Sequence, residues 1–193
     1  MDIDKTQIYF PSDDTYLLIK SALAEVKPTD RVLEIGTGSG AVAKSVKEVT
    51  PNVLAVEINP HAAQYAHDVN GVEVIRGDLF APVCGQFDLI LFNAPYLPTD
   101  PAERLDDWLE YALDGGPSGR DVVERFLHAA PPHLSTFGRI LLLISSLTGI
   151  GEVLKICHAE ALIALVTAEE RQEDGEILYV LRISRDLCSL CKT

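Results

Sequence analysis

The sequence predicts a doubly wound α/β fold with a mostly parallel sheet, and three observations carry that prediction. Short apolar runs alternate with amphipathic helical stretches through most of the 193 residues. The run at 87–92 is apolar almost throughout, which suits a strand covered on both faces. The turns that follow the strands carry the glycine, acidic and asparagine signals, and in open α/β sheets ligands bind outside the carboxyl ends of the strands.

The elements follow in order. Residues 8–11 form a short entry segment. Ser12 or Asp13 caps a helix running to about Glu25, with Leu17, Leu18, Ala22 and Leu23 on its apolar side, and Pro28 closes the stretch. The first strand covers 31–35; Gly36-Thr37-Gly38-Ser39-Gly40 leads from it into a helix from Ala41 to about Glu48. Pro51 marks a turn before strand two at 52–56. Asn59 caps the next helix with Pro60 at its first position, and Gly71 stops it. Strand three takes 72–75 and strand four 87–92. Residues 97–119 read as an acidic loop holding Trp108 and Tyr111. A helix over 120–130 buries Val122, Val123, Phe126, Leu127 and Ala130 and ends at Pro131-Pro132. Strand five covers 139–145, and a helix runs from Gly149 to about His158. Strands six and seven take 162–168 and 176–183. The link 170–175 is short and charged, so these two pair antiparallel.

Length and composition set bounds. The chain suffices for one domain with a sizeable core, taken as residues 1–193 with 1–28 as an N-terminal covering segment. Sixteen Lys and Arg stand against 29 Asp and Glu, a net charge of −13, which argues against free nucleic acid as the main partner. Residues 1–5 are charged and lead into no apolar stretch, so no signal peptide is expected; no run reaches the length of a membrane span. The four cysteines are too scattered for a disulfide framework, which suggests a cytoplasmic protein. Cys188 and Cys191 have metal-like spacing, but no second pair completes a four-ligand site, and the five histidines form no ligand pattern.

Four strand ends describe one site. The turn at Glu34 to Gly40 spaces its glycines as G-x-G-x-G, unlike the G-x-G-x-x-G of dinucleotide binders. Glu34, two residues before Gly36, suits a positive ammonium better than a pyrophosphate. Glu57 ends strand two, about 20 residues after the glycine turn, where a carboxylate can accept from ribose hydroxyls. Asp78 follows strand three and can accept from an exocyclic amine. Asn93, Ala94, Pro95 and Tyr96 end strand four. There the Asn93 side-chain oxygen and the Ala94 carbonyl are two acceptors, and Tyr96 is a ring for stacking. Two acceptors and a ring suit a planar group bearing an NH2. Taken singly, each of these could be an ordinary turn or a solvated strand end. Together they fit an amino-acid head, a ribose, an adenine and an NH2-bearing acceptor, and S-adenosylmethionine supplies the first three.

On these motifs the chain resembles the HemK-like glutamine methyltransferases, relatives of the N6-adenine methyltransferases. Tyr9, Pro11, Asp14, Thr15 and Leu18 match that family's Tyr-x-Pro-x-x-Asp-Thr-x-x-Leu segment. Glu34 to Gly40 matches its cofactor loop, and Asn93 to Tyr96 its Asn-Pro-Pro-Tyr motif. The stretch from Asp114 to Phe126 is similar to its glycine-rich segment. Ala94 departs from the pattern, standing where the family has its first proline. The resemblance implies a Rossmann-like class I methyltransferase with a seven-stranded, mostly parallel sheet and an antiparallel last strand. It also implies that Thr15, Glu34, Gly36, Thr37, Gly38, Gly40, Glu57, Ile58, Asp78, Leu79 and Asn93 contact the cofactor.

The start at the Tyr-x-Pro segment resembles the shorter archaeal and eukaryotic branch. That implies methylation at N5 of the Gly-Gly-Gln glutamine in a class I release factor, with a small zinc-binding activator subunit on the strand-three edge. Two other readings stand beside it: an N6-adenine methyltransferase on RNA or DNA, and an inactive cofactor-binding subunit. The expected substrate mouth favours protein over nucleic acid, because Asp100, Glu103, Asp106, Asp107, Glu110 and Asp114 outnumber Arg104 and Arg120.

Overall fold

The computed structural model describes residues 2–99 and 107–186. Seven strands form one sheet: β1 (Val32–Ile35), β2 (Val53–Glu57), β3 (Val74–Arg76), β4 (Phe87–Asn93), β5 (Leu134–Ser145), β6 (Ile163–Arg171) and β7 (Ile177–Ser184). Their spatial order is β3-β2-β1-β4-β5-β7-β6. Every pairing from β3 to β5 is parallel, and β7 runs antiparallel to both its neighbours. The short β6–β7 link forces that reversal, since a parallel return needs a crossover of a dozen or more residues. The predicted mostly parallel sheet with an antiparallel last strand is what forms.

Among the described residues, five α-helices cover the sheet: α1 (Asp13–Glu25), α2 (Ala41–Lys47), α3 (Pro60–Asp68), α4 (Asp121–Ala129) and α5 (Ile150–Ala159). Alternate residues of β4 serve different cores. Ile90 and Phe92 pack with Val123, Phe126 and Val153 of α4 and α5; Leu89 and Leu91 pack with Leu18, Ala43 and Ala66 of α1, α2 and α3. This double coverage explains why the strand reads as a continuous apolar run. Phe126 lies fully buried against Phe80 and Phe92, where truncation to alanine costs about 3–5 kcal/mol.

Three local expectations shift. Leu23 is 44% exposed, so the buried stripe of α1 is Leu17, Leu18 and Ala22. Strand three begins at Val74, two residues late, because the Val72 N–H donates to the Ala66 carbonyl and its side chain seals the end of α3. Strand five begins at Leu134, five residues early. Polar Ser135 and Thr136, Gly138 and an exposed Phe137 disguise its first half.

A buried ionic cluster ties α1 to the sheet. Arg139 of β5 donates to Asp30 at 2.8 Å and to Glu25 at 3.2 Å, and Arg182 of β7 reaches Glu25 at 2.7 Å. Arg139 also donates to the Asp88 and Glu25 carbonyls. Such a cluster adds less net stability than its contacts suggest, but removing one partner strands a buried charge. It fixes the carboxyl end of α1 on the sheet while the amino end reaches the cavity described next.

Candidate active site

One cavity opens at the carboxyl ends of β1, β2 and β4. Thr15, Glu34, Gly36, Thr37, Gly38, Glu57, Ile58, Asp78, Leu79, Asn93, Ala94, Pro95 and Tyr96 all border it. Gly40 does not line it. A Cβ there would sit 2.8 Å from Ala66 Cβ, and its φ of +85° is one that side chains rarely adopt; Gly40 lets α2 start close against α3. Its role is packing behind the loop.

Glu34 organises the glycine turn. Its Oε2 accepts from Thr37 Oγ1 at 2.5 Å and from the Ala43 N–H at 2.9 Å. Burial pushes its carboxyl up to about 8, with the Glu57 charge adding to the rise and the two hydrogen bonds opposing it. The folded state therefore holds a proton that the unfolded chain releases near 4.5. This group's stabilising contribution is full below the unfolded value and is lost as pH rises through about 8. Glu34→Gln keeps an acceptor for both donors and removes the titration. Its melting temperature is expected to gain on wild type, in ligand-free protein, between pH 5 and pH 9. A gap that is constant or narrows across that range in thermal unfolding would refute the assignment.

Glu57 ends β2 as a buried acceptor. Oε2 takes the Gly38 N–H at 2.7 Å and Oε1 the Asn59 N–H at 2.8 Å. Burial raises its pKa while those backbone donors oppose the rise. A carboxylate offers about four lone-pair sites, so Glu57 keeps capacity to accept from a ligand hydroxyl. Asp78 is more exposed and pairs with Arg125 of α4 at 2.5 Å. The next residue, Leu79, has φ of +46°, a strained value for a branched side chain and the kind of outlier that gathers at ligand sites.

At the end of β4 a second set of side chains converges. Asn93 Nδ2 donates to Asp14 Oδ2 at 3.0 Å, while Asn93 Oδ1 is buried with no hydrogen-bond partner. Tyr9 donates to the same Asp14 oxygen at 3.0 Å and Tyr96 at 3.5 Å. Burial first, then the nearby Asp14 charge, push both phenols above their ordinary range, so both stay donors. Asp14 Oδ1 accepts from the Thr15 N–H at 2.5 Å and the Thr15 hydroxyl at 3.1 Å. The Thr15 hydroxyl also accepts from the Ser12 N–H at 3.4 Å, bracing the first turn of α1. Ala94 is buried, and its N–H approaches the Leu143 carbonyl at 3.4 Å, a contact a proline could forgo cheaply.

Gln7 pins the entry segment across the cavity. Its carbonyl accepts from Asn59 Nδ2 at 2.6 Å and its side-chain oxygen from the Trp108 N–H at 2.8 Å. Trp108 stacks near Tyr111, with the Arg76 guanidinium 5.9 Å from its ring centre. No local signal in the sequence marks a separate role for Asp14, Gln7 or Arg125. Asp14 was visible only as one letter of the Tyr-x-Pro-x-x-Asp-Thr segment; the other two had no signal, because their partners lie 47 or more residues away. Asp100, Glu103, Arg104 and Asp106 of the expected acidic mouth lie outside the described residues, as do Cys188 and Cys191.

Sheet order and a ligand cavity at the strand ends define a class I methyltransferase. The methyltransferase small domain family matches residues 13–104. The chain belongs to the HemK-like protein N5-glutamine methyltransferases. It is 42% identical over 74% of its length to a Methanocaldococcus jannaschii protein named "Putative protein N5-glutamine methyltransferase", covering 75% of that protein. It is 32% identical to human methyltransferase HEMK2, covering 93% of this chain and 91% of the relative. Among solved structures it is similar to the E. cuniculi Mtq2–Trm112 complex, described as responsible for methylation of the translation termination factor eRF1. That match has a TM-score of 0.77 and 25% identity, and covers 93% of this chain and 99% of the other. A ribosomal protein L11 methylase from Lactobacillus delbrueckii shares the fold at a TM-score of 0.69 and 21% identity, over 95% of this chain and 84% of that one.

Proposed function

We propose that the protein transfers a methyl group from S-adenosylmethionine to N5 of the Gly-Gly-Gln glutamine in a class I release factor. The observation that carries this reading is the Asn93 side-chain oxygen, a buried acceptor with no partner at the cavity wall. An orphaned buried acceptor costs about 1–3 kcal/mol, so it is retained where a ligand N–H completes it. The whole chain acts as one domain, with residues 1–28 covering the cofactor.

The cavity fits the cofactor at each strand end. Glu34 and the glycine turn suit the amino-acid head, and a nearby ammonium would draw the Glu34 carboxyl to its charged form. Glu57 keeps acceptor capacity suited to a ribose hydroxyl. Asp78 and the Leu79 N–H suit the adenine edge, between the apolar walls of Ile58 and Val122. Thr15, Gly36, Thr37, Gly38 and Asn93 line the rest of the cavity, with Gly40 supporting the glycine turn from behind.

When bound, S-adenosylmethionine supplies an electrophilic methyl on a sulfonium. The chain's own residues then solve a positioning problem. A glutamine amide nitrogen is a poor nucleophile because its lone pair is delocalised. Asn93 Oδ1 and the Ala94 carbonyl take its two N–H groups, and Tyr96 packs against its plane. Holding the nitrogen this way aims it and stabilises positive charge as it develops, and the methylated nitrogen then gives up one proton to water. A Gly-Gly-Gln tip has no side chains beside its glutamine and can enter a narrow opening.

A net charge of −13 favours a basic protein loop over a phosphate backbone, and a translation factor as substrate puts the reaction in the cytoplasm. Offered a Gly-Gly-Gln release factor together with adenine-containing RNA and DNA at equal concentration, the enzyme is expected to label the factor. Label on nucleic acid alone would overturn the substrate. A small zinc-binding activator is the proposed partner. β3 forms one edge of the sheet and presents Ile75 and Arg76 to solvent, an open ladder for an added strand. Co-elution with the host's activator homologue in size-exclusion chromatography is the expected result; separate peaks would count against it.

A further inference from the structure

Resting on the acceptor role of Asn93, we infer that Asp14 is a positioning residue that sets which end of the Asn93 amide faces the substrate. A side-chain amide is a donor at one end and an acceptor at the other, and the two ends are nearly the same size. Left alone at the cavity wall, Asn93 could present either. Asp14 removes the choice. Its Oδ2 already gathers Tyr9, Tyr96 and Asn93 Nδ2, three donors on one oxygen. Turning the Asn93 amide over would press its oxygen against an acceptor and send two N–H groups toward the incoming nitrogen.

Asp14 is itself held. It is 5% exposed, and Oδ1 is tied to the Thr15 backbone and hydroxyl in the first turn of α1. The consequence is specificity. The site as built accepts from an N–H donor, so it takes an amide tip and rejects a carboxylate tip of the same shape. With the amide reversed, the preference reverses.

Asp14→Asn tests this with little change in volume. The substituted side chain can keep its oxygen on the Thr15 donors and point its NH2 at Asn93, which then turns its own oxygen away from the cavity. The double variant Asp14→Asn/Asn93→Asp restores an acceptor on the substrate side. Its new carboxylate, at the end of β4, accepts from the new amide on α1 with one oxygen and faces the cavity with the other. The full chain, radiolabelled S-adenosylmethionine and a Gly-Gly-Gln release factor are the reagents. Asp14→Asn is expected to bind the cofactor as wild type does and to lose about 10²-fold in kcat, and the double variant to recover at least about tenfold of that loss. A Gly-Gly-Glu release factor, a poor inhibitor of wild type, is expected to gain about tenfold in potency against Asp14→Asn.

Asp14→Asn turning over within about fivefold of wild type would overturn the inference, as would an unchanged Gln-over-Glu preference. If the double variant does not fold, the Glu-for-Gln reversal in the single variant decides alone. Asn93→Ala run in parallel separates the levels. Near-normal turnover there removes the acceptor reading itself, whereas an inactive Asn93→Ala beside an active Asp14→Asn removes only the role given to Asp14.

Discussion

Asn93→Ala is expected to abolish most turnover, by about 10²–10³-fold, while leaving cofactor affinity nearly unchanged. The size follows from what is lost. The transferred methyl makes the amide nitrogen more positive, and an oxygen already buried and unsolvated stabilises that charge without reorganising. Cofactor affinity is spared because Glu34, Glu57, Asp78 and the glycine turn remain. Fold stability should change little, since the variant deletes an unpartnered acceptor, although Asp14 loses one of its donors. Single-turnover kinetics beside calorimetry check the split. A variant with normal single-turnover rate, or one that loses cofactor binding in step with rate, would contradict the assignment.

Glu57→Ala is expected to weaken cofactor binding by about 1.5–3 kcal/mol, a factor of roughly ten to one hundred and fifty, through loss of charged-acceptor hydrogen bonds. The structure gives a reason to expect the upper end. Glu57 also holds the Gly38 and Asn59 N–H groups, so alanine both deletes the ribose contact and loosens the glycine turn and the cap of α3. Glu57→Gln separates these effects: one backbone donor keeps an oxygen, and the other meets an NH2. Calorimetry is the measurement. Equal affinity for wild type and Glu57→Ala would remove Glu57 from the ribose position.

Most of this architecture was legible because its physics is local. Apolar runs covered on both faces announce β1, β2 and β4. Asn59-Pro60 announces α3, and Ser12 the start of α1. Boundaries failed where one residue serves two elements. Val72 looks like a strand and is spent sealing a helix, and the first half of β5 is polar because Phe137 faces solvent. The cavity's lining was largely readable, since each of those residues follows a strand in a recognisable turn. Its internal wiring was not. Asp14 and Asn93 are 79 residues apart, and nothing in the local pattern around either marks the other as its partner. The same holds for Arg139 and Arg182, charged residues inside apolar strands whose carboxylates come from α1 and the turn after it.

The clamp on α1 has a consequence for how the protein is born. The segment that closes the cavity leaves the ribosome well ahead of the contacts that seat it. Gln7 waits for Trp108, 101 residues on; Asp14 waits for Asn93; Glu25 waits for Arg139, 114 residues on, and then for Arg182 in the last strand. Closing such long loops is the slow part of assembly. A nascent chain that already carries the glycine turn and Asn93 therefore still lacks its fixed floor for α1. The last contact of the α1 clamp, Arg182 to Glu25, forms only once β7 is present.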